Sequence, residues 1–269
     1  MHSQRLLTAA VLGPLLYGIL WWGGVIGFNW VLSIGIALCL FEYYSICFKS
    51  HTVIKYLGVV LGLMPVLAVA VTPMPWVIVP CLFLVLFTGA FLFIVSYAKW
   101  HRPIESLAVF LLGIWYVGFC GAHLGLLRAG ILGREWILFL LVVIFSGDAG
   151  AYYVGRSIGK RKLCQPVSKG KTVEGAVGGL ALNAIAAFLS WFLFMRQLDP
   201  RQLIVLAVVL GIIGQLGDLT ESIVKRGFGV KDSGAILPGH GGIFDRIDAV
   251  LLAAPAIYWI LHLGLVRQY

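Results

Sequence analysis

The chain has 269 residues, 61% of them hydrophobic and 12% charged, with a mean hydropathy of +0.98; soluble domains run nearer about 45–50% apolar and about 25% charged, so a soluble globular fold is excluded. The net charge is +9, but no basic face interleaved with aromatics on a soluble module goes with it, which excludes nucleic acid as the partner that charge serves. Apolar runs of roughly 20 residues recur along the whole length, longer than a membrane β-strand needs, so the expected fold class is an all-α polytopic membrane protein.

Residues 1–26 have the outline of a signal peptide, with Arg5 ahead of an apolar run. They continue through Trp21 and Trp22 with no small-residue cleavage site and read as a retained first span. Nine spans are expected, near 6–25, 29–47, 55–72, 76–97, 104–126, 136–154, 173–195, 203–224 and 249–266. They read as one integral membrane domain over 1–269, with spans one to five in 1–135 and a catalytic half, spans six to nine, in 136–269. Fifteen of the twenty Lys and Arg residues fall on the N-terminal side of the membrane in this scheme. The positive-inside rule then puts the N-terminus in the cytoplasm and the C-terminus outside.

In the first half, Glu42 reads as a carboxyl paired locally near the cytoplasmic end of its span, with a direct catalytic role as the alternative, and His123 reads as structural. The five cysteines, Cys39, Cys47, Cys81, Cys120 and Cys164, have no metal spacing and read as buried thiols.

The character of the chain changes at Phe145. A span carrying Asp148 near its inner end runs into a basic, glycine-rich loop with Arg156, Lys160, Arg161, Lys162, Ser168, Lys169 and Lys171, which enters the next span through Thr172, Glu174 and Gly175. An aspartate in mid-span costs about 2.5–3.5 kcal/mol on insertion scales, less near the interface, so Asp148 is expected to face the protein interior. Gly170-Lys171-Thr172 suggests a P-loop, but that motif needs a glycine five residues earlier, where Gln165 stands, and no β-strand is expected before it. What remains is that Lys171 and the nearby backbone can contact phosphate.

Span eight carries Asp218, Glu221 and Ser222 near its inner end. Asp218 and Ser222 are four apart and share a helix face, while Glu221 is spaced to pair with Lys225. Residues 222–248 then form a polar wedge between two apolar spans, with Lys225, Arg226, Lys231, Asp232, His240, Asp245, Arg246 and Asp248. Asp245 and Asp248 are three apart at the start of span nine and share a face. Gly239, Gly241 and Gly242 allow close backbone approach to a ligand or simply make a tight turn. His240 can donate to a phosphate or act as an acid, and Asp232 suits a solvated position. The topology puts Asp148, Asp218, Asp245 and Asp248 at one depth, on the cytoplasmic rim. Hard oxygen donors gathered there suit Mg²⁺ held together with substrate phosphates, with the nearby Lys and Arg neutralising those phosphates.

Ser222-x-Val224-Lys225-Arg226, Lys231-Asp232, Gly234, Leu237-Pro238, His240-Gly241-Gly242 and Asp245-Arg246-Ile247-Asp248 together resemble the signature of the phosphatidate cytidylyltransferase (CDP-diglyceride synthase) family. The resemblance extends to Asp148, Tyr153, Gly155, Arg156 and Ser168…Lys171-Thr172-x-Glu174-Gly175, covering about the C-terminal half; Lys169 stands where the family often has proline. It implies that CTP and phosphatidate give CDP-diacylglycerol and pyrophosphate, with Mg²⁺ required and K⁺ as an option for a second cation. It also implies a homodimer in a bacterial inner membrane, with the active site facing the cytoplasm. Carried onto this chain, the implied catalytic residues are Asp218, Asp245, Lys225, Arg226 and His240, and the implied metal ligands are Asp218, Asp245, Asp248 and Asp148. Substrate binding falls to Ser222, Lys231, Lys171, Thr172, Ser168, Arg156, Gly241, Gly242 and Arg246.

Two rival readings frame this one. A related CTP-dependent enzyme would act on another lipid phosphate or a lipid alcohol, since the apolar walls that select acyl chains have no readable code. A cation-coupled transporter would place its acids near the midplane, in paired inverted repeats. Here the charges crowd one rim and no repeat is visible.

Overall fold

Within a bilayer the backbone N–H and C=O groups must find partners inside the segment itself, and the apolar runs of this chain accordingly fold as helices. The computed structural model describes residues 13–234 and 241–266. It forms two compact units, Met1–Gly130 with Val230–Arg246, and Ile131–Gly229 with Ile247–Tyr269.

The first unit contains helical residues 13–22 (α1), α2 (Gly24–Cys47), α3 (Thr52–Val71), a short 3₁₀ turn (Pro75–Val77) leading into α4 (Ile78–Val95), and α5 (Pro103–Gly113). A π-helical stretch, Ile114–Phe119, joins α5 to α6 (Cys120–Ala129) without a break. Tyr43 and Tyr44 of α2 are fully buried, and their hydroxyls donate to the carbonyls of Val109 at 2.9 Å and Phe110 at 2.7 Å. Both lie just ahead of the π stretch, where the regular ladder gives way. His123 is buried with its ring Nδ1 on the Phe119 carbonyl at 2.9 Å, the structural role its sequence context suggested.

The second unit contains α7 (Gly133–Ile158), β1 (Lys162–Cys164), β2 (Ser168–Thr172), α8 (Val173–Phe194) and α9 (Pro200–Gly227). From Ile247 onward it also includes α10 (Phe244–His262). Asp199 caps α9 by accepting the Arg201 N–H at 2.8 Å, with Pro200 preset in the first turn. Buried Asn183 of α8 is closed in by Gly147 of α7 and Gly211 of α9, where added side chains would collide with it. Gln215 donates to the Ala176 carbonyl at 3.1 Å, a polar link between two spans.

Among the described residues seven helices are long and apolar enough to cross a membrane: α2, α3, Pro75–Val95, Pro103–Ala129, α7, α8 and α9. They match seven of the nine expected spans. Part of the first expected span lies outside the described residues, and α10, the ninth, is 19 residues long with Asp245, Arg246 and Asp248 in its first turns. The polytopic helical class is therefore what the chain forms, with one addition. The loop after Asp148 is an antiparallel β-hairpin, with Lys162 opposite Thr172 and Cys164 opposite Ser168. The expectation that no strand adjoins Gly170-Lys171-Thr172 is thus corrected. These residues belong to β2 itself, so the backbone that would have to curl around a phosphate in a P-loop is extended instead. The five cysteines are free; Cys39 and Cys120 are buried and the other three half-buried.

Candidate active site

The second unit gathers four acids and two lysines. Asp218 and Glu221 lie three apart in α9 and share a face. The backbone at Asp248 comes close to that face because Gly217 offers no side chain: a Cβ there would stand 2.7 Å from the Asp248 carbonyl oxygen. One carboxylate oxygen each from Asp218, Glu221 and Asp248 lie within 4.8 Å of one another, with Glu221 and Asp248 buried and Asp218 half-buried. Asp148 of α7 is exposed and not turned into the protein interior as its place in a span suggested, yet its charge, like that of Lys225, acts on Asp248.

The lysines hold specific oxygens. Lys171 Nζ lies 2.6 Å from Asp218 Oδ2, and Lys225 Nζ lies 2.6 Å from Glu221 Oε2, the i,i+4 pair the sequence spacing suggested. Lys171 reaches α9 because the hairpin is pinned at its base. The Glu174 carboxylate accepts the backbone N–H groups of Lys160 at 3.0 Å and Arg161 at 3.1 Å, and the Thr172 hydroxyl caps α8 by accepting the Gly175 N–H at 3.1 Å. Thr172 is buried in that capping role.

The other expected residues surround this group or stand apart from it. Ser222 is buried one turn after Asp218. Arg226 is exposed in the last turn of α9, where a cation also suits the helix dipole. Ser168 is half-buried on β2 with Lys169 exposed beside it, and Arg156 is exposed with its guanidinium donating to the Tyr152 hydroxyl at 2.9 Å.

Asp245 belongs to the first unit. Its carboxylate accepts the N–H groups of Ser233 and Gly242, each at 3.0 Å. Lys231 and Arg246 are exposed, Gly242 is buried, and Gly241 takes φ +81°, in the left-handed region. His240 lies outside the described residues.

Glu221 is the member that sequence reasoning missed as a possible ligand, having been read only as the partner of Lys225. The signal was present: Asp218-x-x-Glu221 has the same i,i+3 spacing as Asp245-x-x-Asp248. Chemically, hard carboxylate oxygens outnumber the lysines that meet them, and three converge on one small volume. That donor set fits a divalent cation of the Mg²⁺ type, which binds oxygen and commonly keeps few protein carboxylates.

The fold and the site together define a helical membrane protein that carries an acid-rich, lysine-backed polar group among its helices. The family model for the cytidylyltransferase family matches residues 3–264. The phosphatidate cytidylyltransferase of Brucella suis biovar 1 (strain 1330) is 36% identical over 267 residues, covering 95% of this chain and 92% of that protein. Those of Bacillus subtilis (strain 168) and Staphylococcus haemolyticus (strain JCSC1435) are 43% identical over 149 residues and 42% over 151. The latter two matches span about half of each protein, 55% and 57% of its length, and 55% and 56% of this chain. The chain belongs to the cytidylyltransferase family, and it is a nucleotidyltransferase.

Proposed function

We propose that this chain is a phosphatidate cytidylyltransferase of the membrane, converting CTP and phosphatidate into CDP-diacylglycerol and pyrophosphate with Mg²⁺. The observation that carries the reading is the convergence of Asp218, Glu221 and Asp248 within 4.8 Å beside Lys171 and Lys225, in a chain of this family. A phosphatidate oxygen forms a bond to the α-phosphorus of CTP, and the bond from that phosphorus to the oxygen bridging the α- and β-phosphates breaks, releasing pyrophosphate. No general base is required, because a phosphate monoester with a second pKa near about 6 is already ionised at neutral pH.

Asp218, Glu221 and Asp248, with Asp148 supporting, are the residues that would hold the cation. When bound, Mg²⁺ neutralises charge on the reacting phosphates. Lys171 and Lys225 each hold one of those carboxylates and so stand beside any phosphate bound with the cation, while Arg226, Lys231, Arg156 and Arg246 supply exposed positive charge for lipid or nucleotide phosphate. For Asp245 the motif implies a ligand role too. A carboxylate offers about four acceptor positions, so two amide donors leave capacity for a cation. A second cation and a homodimer remain part of this proposal, as do a bacterial inner-membrane location and a cytoplasmic active site.

Purified protein incubated with labelled CTP and phosphatidate should yield CDP-diacylglycerol and pyrophosphate in equal amounts. If it forms no CDP-lipid from phosphatidate but does so from another lipid phosphate, the acceptor is misassigned; failure with every acceptor would sink the reaction. Lys171→Ala should raise the KM for CTP about tenfold, the scale of one lost charge-assisted contact, and an unchanged KM would remove Lys171 from the triphosphate site. A reporter fused after Tyr269 is expected to be active only on the non-cytoplasmic face, and a cytoplasmic signal would break the nine-span scheme.

A further inference from the structure

Glu42 of α2 is only 3% exposed. A carboxylate so far from water is costly unless donors hold it, and its donors come from the other end of the chain. Its Oε2 accepts the Phe244 N–H at 2.9 Å and the Ser233 hydroxyl at 3.1 Å, 202 and 191 residues away. Asp245 grips the same two places: its carboxylate takes the Ser233 N–H and the Gly242 N–H, both at 3.0 Å. Ser233 is thereby held through its hydroxyl by Glu42 and through its amide by Asp245, and residues 242–244 are held at both ends in the same way. The backbone closes tightly on Glu42, since a Cβ on Gly234 or on Gly242 would stand 2.5 Å from one of its oxygens. The Phe244 ring meets Tyr43 and Tyr116 edge-on, with ring centroids 5.9 and 5.8 Å away.

We propose that Glu42 is a positioning residue for the reaction: through Ser233 and Phe244 its buried carboxylate fixes the backbone that orients the Asp245 carboxylate. The kinetic part of this inference rests on the cytidylyltransferase reading above. The N-terminal half of the chain thus bears on Asp245 through the buried Glu42 carboxylate. Both of its bonds go to a single oxygen, and they need an acceptor, not a charge.

The test compares Glu42→Ala, Glu42→Gln, Ser233→Ala and the Glu42→Ala/Ser233→Ala pair in the full-length, solubilised protein. Glu42→Ala should lower kcat about a hundredfold, the loss expected when a reacting group is displaced by about 1 Å, and move the KM for CTP less than about twofold. Glu42→Gln, whose amide oxygen can take both bonds, should stay within about fivefold of the original kcat. Ser233→Ala should lower kcat about tenfold, and the double variant should be no slower than Glu42→Ala alone, because both act through one contact. Trypsin cleavage after exposed Lys231 should be about fivefold faster in Glu42→Ala and unchanged in Glu42→Gln.

Glu42→Ala at full rate would overturn the inference. So would Glu42→Gln as slow as Glu42→Ala, which would make the charge itself the requirement, or additive losses in the double variant. Should Glu42→Ala fail to accumulate, Glu42→Gln and Ser233→Ala still decide it: the first must remain active and the second must be slowed. An unsubstituted protein inactive with CTP and phosphatidate would sink the proposed function, and the trypsin comparison would then judge the Glu42 contact alone.

Discussion

Asp218→Asn is expected to lower turnover by at least about a thousandfold while leaving the protein folded in the membrane, the scale on which a site built from fixed charges fails when one is removed. One feature sets Asp218 apart from its neighbours: it is the least buried of the three converging acids, while, like Glu221 with Lys225, it holds a cation, Lys171, at 2.6 Å. Asparagine keeps the shape and one acceptor oxygen but abolishes the charge, so the loss measures charge and not packing. Under the proposed Mg²⁺ binding the metal should raise the Tm of the solubilised original protein through binding linkage, and in the variant that rise should disappear together with activity. A variant that turns over at near the original rate would take Asp218 out of the cation site and leave Glu221 and Asp248 to be tested in its place.

Asp245→Asn should be as severe, about a thousandfold, for a reason that its surroundings make testable. The amides of Ser233 and Gly242 both reach one carboxylate oxygen, Oδ2, at 3.0 Å, and the Ser233 N–H makes a longer contact of 3.3 Å with Oδ1. Asparagine can present an oxygen there and keep the local fold. If holding the backbone were all that Asp245 does, Asp245→Asn would remain within about tenfold of the original rate and only Asp245→Ala would fail. Equal losses in both variants, with unchanged trypsin sensitivity in Asp245→Asn, would show that its charge acts in the reaction. The pair of variants therefore separates the role observed, an acceptor for backbone amides, from the role proposed, a ligand.

Much of this was legible in the chain itself. Hydropathy is a sum over roughly 20 consecutive residues, so it locates spans without knowledge of what they pack against. The motif between Ser222 and Asp248 and the i,i+4 pair of Glu221 with Lys225 are likewise local, set by helix periodicity. The hairpin at Lys162–Thr172 was not legible, because its strands are three and five residues long and alternate too briefly to stand out from a glycine-rich basic loop. Glu221 escaped as a candidate ligand because its spacing to Lys225 explained it already. Nothing in one helix states that a second carboxylate, Asp248, comes from α10 to meet it.

By itself, then, the sequence determined the helical membrane class, most of the span positions and the polar stretch at 222–248 that carries the family resemblance, since these depend on composition and on spacings of a few residues. Only the tertiary structure decided which acids share a site and which hold the backbone. Asp218, Glu221 and Asp248 come together because Gly217 lets the Asp248 backbone approach α9 closely. Glu42 turned out to be held by Ser233 and Phe244, 191 and 202 residues further on, and not by a local partner. Pairing over such separations leaves no periodic trace in a single chain, because it is fixed by how helices pack and not by the order of residues along any one of them.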